Sequence, residues 1–163
     1  MVPNFVIRDL EPGDKSAVVD IIALTMTDDD IDWAKSTLDN YFQNGQPPPP
    51  SRIPKYYVAV AEGEVVGISG FYIHQGHYWL AWFAVRPEYQ QKGIGSALLR
   101  EAEAAVRERG ARELYVLTSS LPPFARAREF YRRKGFVRKH RADKRRYGDD
   151  AIVISKVFEA RSG

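Results

Sequence analysis

The spacing of apolar and polar residues predicts one strand and two amphipathic helices at the start of the chain. Residues 5–7 form a short β-rich run. Apolar side chains then recur at the three- and four-residue spacing of a helix face, first over residues 18–25 and again over residues 31–42. The second helix is expected to begin in the acidic run Asp28–Asp32, because carboxylates stabilise the positive end of a helix dipole.

The middle of the chain carries the strongest strand signals. Two β-rich runs at residues 56–61 and 65–73 flank Glu62-Gly63-Glu64, which predicts a hairpin. A third run at residues 78–85 is almost entirely apolar or aromatic, as expected for a central strand buried on both faces. The prolines at residues 47–50 precede these strands and predict an extended surface connector.

A strand–turn–helix succession follows the third run. Residues 90–96 form a glycine-containing turn, and the next helix has an apolar face over residues 98–106 and ends at Gly110. The remaining predicted elements are a strand at residues 114–118, a helix between Pro122 and Gly135, a strand from Phe136 and a strand at residues 151–158.

The predicted order is one strand, two helices, three strands, one helix, one strand, one helix and two strands. A length of 163 residues, with 44% hydrophobic and 28% charged residues, fits a single domain spanning residues 1–163. We find no apolar run of membrane-spanning length and no export signal, so we expect a cytoplasmic protein without membrane contact. The sequence holds no cysteine, which excludes disulfides, thiolate metal ligands and a cysteine nucleophile.

Charge is unevenly distributed along the chain. Residues 1–82 hold 5 Lys and Arg against 11 Asp and Glu, whereas residues 83–163 hold 19 against 10. The excess is concentrated in residues 126–146, where 11 basic residues accompany only Glu129 and Asp143. Such a cluster points to a polyanionic partner. No zinc-finger, RNA-recognition or helix-turn-helix pattern accompanies it, so a nucleic-acid-binding module is the weaker alternative and no nucleic-acid partner is expected.

The turn at residues 90–96 has the clearest chemistry. A helix N-terminus presents unpaired N–H groups and a partial positive charge, which suit an oxyanion. Gly93 and Gly95 would let the backbone approach a phosphate that a Cβ would hold away. The same two glycines also fit a plain helix-start turn, and the segment matches neither the P-loop nor the dinucleotide fingerprint.

Two segments resemble motifs of one enzyme family. Residues 84–99, AVRPEYQQKGIGSALL, resemble the acetyl-CoA-binding signature of the GNAT superfamily of N-acetyltransferases, whose core is Q/R-x-x-G-x-G/A. Residues 127–136, AREFYRRKGF, resemble the second motif of that family, a helix that carries a tyrosine and ends in Gly-Phe. Together with the order of the elements, the resemblance covers nearly the whole chain. It implies an α/β (α+β) fold with a mixed, mostly antiparallel central sheet flanked by helices.

The resemblance also implies a co-substrate and a set of binding residues. It implies acetyl-CoA as acetyl donor, a primary amine as acceptor, and no metal. The pantetheine arm would bind the backbone of a strand, and the pyrophosphate would bind the turn after it. Candidates for the ribose phosphate are Lys92, Arg126 and Arg132. The binding residues so implied are Phe83, Ala84, Val85, Gln90, Gln91, Lys92, Gly93, Ile94, Gly95 and Ser96.

Tyr131 is the candidate catalytic residue. The matching tyrosine of the family protonates the departing thiolate of coenzyme A, a role that suits a phenol with a pKa near 10. Helical spacing places Tyr131 on one face with Phe124, Ala127 and Lys134, so its phenol is expected to point inward. A core tyrosine with a satisfied hydroxyl is the structural alternative.

The general base is left open. Many family members have a glutamate on the strand before the first motif, but the matching position here is Trp79 and the strand has no carboxylate. His74, His77 or a water chain could take the proton, although both histidines fall in a predicted loop between strands. Phe124 also stands where the family often has an asparagine that bonds the cofactor. Without cysteine there is no acetyl-cysteine intermediate, so we expect direct attack by the amine within a ternary complex.

The acceptor is not defined by the sequence. In the family the acceptor groove is bordered by the loop between the first two helices and by the last strand pair. The acidic run there could attract a small cationic amine or a peptide N-terminus, or could simply cap a helix. Residues 145–151 faintly resemble the tail of protein N-terminal acetyltransferases. Alternate aromatic side chains of the central strands could line an acceptor pocket or a homodimer contact. A GNAT-fold protein that binds acyl-CoA without catalysis is the other alternative.

Overall fold

The computed structural model describes residues 3–46, 48–49 and 53–159, and it confirms the predicted elements with two differences. The third β-rich run forms two short strands rather than one, and an additional short helix lies between the last two strands. Of the predicted proline connector, Pro47 and Pro50 lie outside the described residues.

The strands are β1 (Phe5–Asp9), β2 (Lys55–Ala61), β3 (Glu64–His74), β4 (His77–Leu80), β5 (Ala84–Val85), β6 (Glu113–Ser119), β7 (Val137–Arg141) and β8 (Ala151–Val157). The helices are α1 (Lys15–Thr25), α2 (Asp28–Tyr41), α3 (Ile94–Glu108), α4 (Ala125–Arg133) and α5 (Lys144–Tyr147).

The chain divides into two compact units, the first within residues 1–72 and 81–105 and the second within residues 73–80 and 106–163. In the first unit, β1, β2, β3 and β5 pair antiparallel in that order. The predicted hairpin joins β2 and β3 through Glu62 and Gly63, which have φ angles of 53° and 77°. Two consecutive positive φ angles are the geometry that lets a two-residue turn follow the twist of its strands.

The helices of the first unit bury the apolar faces that their spacing predicts. Val18, Ile21 and Ile22 of α1 and Leu38 of α2 have 0–1% of their surface exposed and share one core cluster. Thr27 caps α2, and its hydroxyl and backbone N–H both meet the Asp30 carboxylate. The acidic run therefore begins the helix as expected, and at least one of its carboxylates has a capping role.

The third β-rich run is interrupted because its alternation of faces fails at residues 81–83. In a regular strand, neighbouring side chains point to opposite faces of the sheet. Ala81 and Trp82 instead pack against the same core cluster, whereas Phe83 packs against a second one. The break in alternation coincides with the end of β4 at Leu80 and the start of β5 at Ala84. The expectation of one continuous strand is wrong for this reason.

In the second unit the strand order is β4, β6, β8, β7, with β4 and β6 parallel and the other pairs antiparallel. A polar network crosses this sheet at Glu113. Its carboxylate accepts hydrogen bonds from Ser155 Oγ at 2.6 Å and from Tyr115 Oη at 2.9 Å, and Lys139 Nζ lies 3.2 Å away. Burial alone would raise the pKa of Glu113, but these three donors hold the pKa below its usual value.

No helix within the described residues is long and apolar enough to cross a membrane. The same residues contain no group of three or more His, Cys, Asp or Glu side chains placed to hold a metal ion.

A partly buried ion pair fixes the entry to α1. The Arg8 guanidinium of β1 donates to both oxygens of Asp14, at 2.7 and 2.9 Å, and the backbone N–H of Glu11 donates to the same carboxylate at 2.8 Å. Asp14 has only 7% of its surface exposed. Burial by itself would raise the pKa of Asp14, but these hydrogen bonds hold the pKa below the usual value.

We predict that Asp14→Asn lowers the free energy of unfolding by about 1–3 kcal/mol at pH 7, because Arg8 loses a charged partner. A carboxylate with a lowered folded-state pKa stabilises the fold above its unfolded-state pKa of about 4, and that stabilisation disappears as pH falls through the folded-state value. The difference between Asp14→Asn and wild type should therefore shrink in urea titrations below pH 4.

Asp39→Asn is the matched control, because Asp39 pairs with Lys15 at the surface. It should cost less than about 0.5 kcal/mol. Equal losses for the two variants would contradict a structural role for the Arg8–Asp14 pair.

Candidate functional site

The backbone of β5 directs hydrogen-bonding groups away from its partner strand. Ala84 and Val85 lie opposite Ile68 and Gly67 of β3, and the N–H of Arg86 donates to Val66 O at 2.8 Å. Hydrogen-bonded and non-hydrogen-bonded pairs alternate along an antiparallel ladder. Val85 therefore occupies a non-hydrogen-bonded position, and its N–H and C=O point away from β3.

Two side-chain contacts hold the turn that follows β5. Gln90 Nε2 donates to Val85 O at 2.9 Å, so the amide spans the turn and occupies the outward carbonyl of β5. Tyr89 Oη donates to Glu62 Oε2 at 2.8 Å, which ties the turn to the tip of the β2–β3 hairpin. The C=O of Val85 is engaged by Gln90, so the N–H is the group of Val85 that points away from β3 and could bond a ligand.

The turn itself ends in a helix N-terminus. Gln91 and Gly93 have φ angles of 61° and 86°, and α3 begins at Ile94. Ala97 N donates to Gly93 O at 3.1 Å, the first hydrogen bond along the helix. The N–H groups of Ile94, Gly95 and Ser96 come before it and have no acceptor within the helix. Three N–H groups and the positive end of the helix dipole thus coincide at the predicted pyrophosphate turn.

Packing beneath the turn fixes the start of α3. Ile94 and Leu98 are fully buried, and the hydroxyl of Ser69 donates to Leu98 O at 3.0 Å. A Cβ at Gly67 would lie 2.8 Å from Leu98 Cδ1 and 3.2 Å from Ala84 O. The absence of a Cβ at residue 67 therefore provides the space that Leu98 occupies against β3.

The candidate phosphate-binding side chains differ in whether their charge is already paired. The guanidinium of Arg86 bonds Glu88 at 2.8 Å, so its charge is partly satisfied. Lys92 lies within the turn and is half-buried. Of the other two candidates for the ribose phosphate, Arg132 bonds both oxygens of Glu129, at 2.8 and 2.7 Å, and Arg126 is exposed.

Tyr131 lies in the second unit, in the interior of α4. It has 6% of its surface exposed, and its ring meets those of Phe130 and Phe136 edge-on at 5.7 and 5.5 Å. Burial raises the pKa of its phenol well above the ordinary value of 10. The hydroxyl is therefore protonated throughout the physiological range.

Arg128 positions the start of α4 and has no counterpart in the sequence-based predictions. Its guanidinium donates to Ser119 O at 2.7 Å and to Leu121 O at 2.8 Å, which fixes the segment between β6 and α4. Its place in a run of charged residues suggests a solvated side chain, so the sequence carries no signal for this role. Phe124, where the family often has an asparagine, is half-buried in the single helical turn before α4.

The candidate bases lie at strand ends rather than in a loop, which corrects the expectation from the sequence. The tight turn between β3 and β4 is only Gln75-Gly76, so His74 ends β3 and His77 begins β4. His77 is exposed, with its ring 5.0 Å from that of Tyr115. Trp79, at the expected glutamate position, donates its indole N–H to His74 O at 3.4 Å.

An aromatic pair lies beside β5 in the first unit. Trp33 of α2 has 60% of its surface exposed, and its ring meets that of Trp82 edge-on at 5.9 Å. Trp82 immediately precedes Phe83, the first residue of the predicted pantetheine-binding segment. Asp29, one helical turn before Trp33, is exposed on the same face of α2.

A family model decides the relationship of the chain to known proteins. The model described as the Acetyltransferase (GNAT) family matches residues 18–136, well over half of the sequence. The chain belongs to this family. The matched range includes the turn at residues 90–96 and Tyr131.

Individual GNAT proteins support the assignment. A Bacillus subtilis (strain 168) protein, provisionally named ribosomal protein bS18-alanine N-acetyltransferase, is 28% identical over 101 residues, which cover 61% of this chain and 66% of that protein. The matched part thus spans just under two thirds of the relative. A crystal structure from Desulfovibrio desulfuricans, provisionally described as a GNAT acetyltransferase, has a TM-score of 0.80 and 26% identity over 94% of this chain and 99% of its own.

A third likeness concerns the fold alone. PaiA N-acetyltransferase from Thermoplasma acidophilum, solved in complex with coenzyme A, has a TM-score of 0.74 and 18% identity, covering 95% of this chain and 99% of its own. The expected GNAT fold, with a mixed, mostly antiparallel sheet flanked by helices, is thereby confirmed.

We predict that Gly93→Ala weakens the binding of acetyl-CoA by about tenfold in isothermal titration calorimetry. A Cβ at Gly93 has nothing within 4 Å, but the φ of 86° costs a side chain about 1–2 kcal/mol, which favours a changed turn. Gly110→Ala is the control, because Gly110 has a φ of 88°, open space around it and a place beyond the end of α3. The control should lose similar thermal stability and keep its affinity; unchanged affinity in Gly93→Ala would contradict the assignment of the turn.

Proposed function

We propose that the protein is an N-acetyltransferase that moves the acetyl group of acetyl-CoA to a primary amine by direct attack in a ternary complex. The observation that carries the proposal is the turn at residues 90–96, where three N–H groups without helical acceptors begin α3. Membership of the GNAT family and the coenzyme A complex of the PaiA enzyme support the same ligand.

In this proposal the cofactor is bound mainly by backbone N–H groups rather than by side chains. The N–H of Val85 would bond the pantetheine arm as an added strand does, and Phe83 and Ala84 would flank it. The turn residues Gln90, Gln91, Lys92, Gly93, Ile94, Gly95 and Ser96 would hold the pyrophosphate. Gln90 contributes through its bond to Val85 O, which keeps the turn and the strand in a fixed relation.

The reaction requires two proton movements. The uncharged amine attacks the thioester carbonyl, a C–N bond forms, and the C–S bond breaks with its electron pair leaving on sulfur. The Tyr131 hydroxyl would give its proton to that thiolate, and the proton lost by the amine would pass to the base. Burial keeps the phenol protonated at neutral pH, as the acid role requires, and the raised pKa makes its proton harder to release. His74, His77 and a water chain remain the candidate bases.

The acceptor is proposed to be a small cationic amine or a protein or peptide amine. Exposed Asp29 and the exposed ring of Trp33 offer a carboxylate and an aromatic face, which together suit a cation. The Bacillus subtilis relative is provisionally named for an alanine of a ribosomal protein, which supports a peptide N-terminus as one acceptor to test.

A specific observation favours a second candidate, an acyl-CoA-binding protein without catalysis. Trp79 occupies the position at which many family members have a glutamate, and its indole N–H is engaged with His74 O. An indole has no basic nitrogen, so Trp79 itself can remove no proton from the amine.

We predict that the protein acetylates at least one member of a panel of polyamines, aminoglycosides and alanine-terminated peptides, with free thiol released in step with acetylated product. Initial rates at varied concentrations of both substrates should give intersecting double-reciprocal lines, as expected for a ternary complex. Parallel lines would contradict direct attack. Tight binding of acetyl-CoA without thiol release from any amine would favour the non-catalytic candidate.

We predict that Tyr131→Phe lowers kcat by 10²- to 10⁴-fold, the usual contribution of a general acid, while acetyl-CoA affinity changes little. Because burial raises the phenol pKa, wild-type kcat should not fall between pH 7 and about 9.5 through loss of this proton. Phe130→Leu is the control for packing, since Phe130 contacts the Tyr131 ring. An unchanged kcat for Tyr131→Phe across this pH range would exclude the acid role.

A further inference from the structure

Most basic side chains of residues 126–146 are exposed at the surface of the second unit. All five residues of β7 are exposed, and so are Lys144, Arg145 and Arg146 of α5. β7 is also the edge strand of its sheet. The positive charge of this segment therefore faces the surroundings.

Few carboxylates neutralise this segment. Arg132 and Arg133 share one carboxylate, Glu129, and their hydrogen bonds lower its pKa to about 2. Lys139 pairs with Glu113, and Lys144 pairs with Asp149. Among the described residues, the other seven of the 11 basic side chains have no carboxylate within 4.0 Å. Their charge is uncompensated within the part of the fold that these residues form.

Protection of an exposed edge explains only part of the pattern. Charged side chains on an edge strand prevent pairing with other chains, which accounts for Arg138 and Arg141 on β7. It does not account for three consecutive basic residues on α5, which is not part of the sheet. Nor does it explain the predominance of arginine over lysine, eight against three in residues 126–146.

We propose that the exposed basic side chains of β7 and α5 bind the sugar–phosphate backbone of nucleic acid. Guanidinium groups pair with phosphate through two parallel hydrogen bonds, which lysine cannot do. The Arg146 guanidinium lies over the Tyr147 ring at 5.3 Å, so an aromatic ring for base stacking is adjacent to the charge. The chain lacks a nucleic-acid-binding motif, but binding to the backbone needs charge and not a motif.

This binding surface does not include the residues proposed to bind acetyl-CoA. It rests on exposed side chains of the second unit and uses neither Tyr131 nor the turn at residues 90–96. The protein could thus bind nucleic acid whether or not it proves to be an enzyme, and an acetyltransferase assay does not decide the matter.

The test is fluorescence anisotropy of the full chain with a labelled 20-nucleotide single-stranded RNA and with a DNA duplex, each at 50 and 200 mM KCl. We expect binding at 50 mM that weakens by about 10- to 100-fold at 200 mM, because bound phosphates release counterions. The triple variant R138A/R145A/R146A should bind at least about tenfold more weakly at 50 mM. Its salt slope should fall by about two, since each lost contact to a single strand contributes about 0.7.

The control is the triple variant K35A/R100A/R112A, which removes the same charge from exposed residues outside the segment. It should bind RNA as wild type does, and thermal melts should show that both variants are folded. Equal weakening by the two variants would reduce the effect to net charge and overturn the proposal. So would absence of binding at 50 mM, displacement of RNA by saturating coenzyme A, or equal binding of polyglutamate. A preference for RNA or for duplex DNA would identify the source of the backbone.

Discussion

The close approach of α3 to β3 is the constraint on which the candidate cofactor site depends. A helix N-terminus attracts an anion only if its N–H groups keep their direction, and here that direction is set from below by the buried side chains of Ile94 and Leu98. Leu98 fits because Gly67 has no Cβ, and Ser69 bonds the Leu98 carbonyl in the same layer. The packing of Leu98 and the absence of a side chain at Gly67 therefore fix the direction of N–H groups that neither residue contacts.

Local signals in the sequence are sufficient to predict most elements, and contacts between distant residues are not predictable in this way. The hairpin at Glu62-Gly63 and the capped start of α2 follow from turn and helix-cap chemistry within a few residues, and the structure confirms both. The interruption at residues 81–83 depends on which core cluster each side chain packs against, and a nearly uniform apolar run does not reveal this. The hydrogen bond from Tyr89 to Glu62 joins residues that are 27 positions apart, and no pattern of residue spacing predicts it.

The candidate site shows the same division. Motif spacing predicts the glycine turn and Tyr131 as site residues, because a turn that needs glycine and the face of a helix are both visible in the sequence. It does not predict that Arg128 bonds two backbone carbonyls ahead of α4, because Arg128 is one of many basic residues in this part of the sequence. The sequence predicts a loop at the histidines because the polar run around them is longer than the two-residue turn that joins β3 and β4.

The hydrogen bond between Glu62 and Tyr89 changes how the β2–β3 hairpin should be regarded by anyone engineering this protein. An exposed two-residue hairpin tip is ordinarily a safe place for a tag, a loop graft or a circular permutation. Here the tip supplies the acceptor that steadies the segment leading into α3. Rebuilding the hairpin would thus remove a contact that holds the segment before α3. A substitution at the exposed hairpin tip could therefore change the geometry of the turn at residues 90–96, which lies far away along the chain.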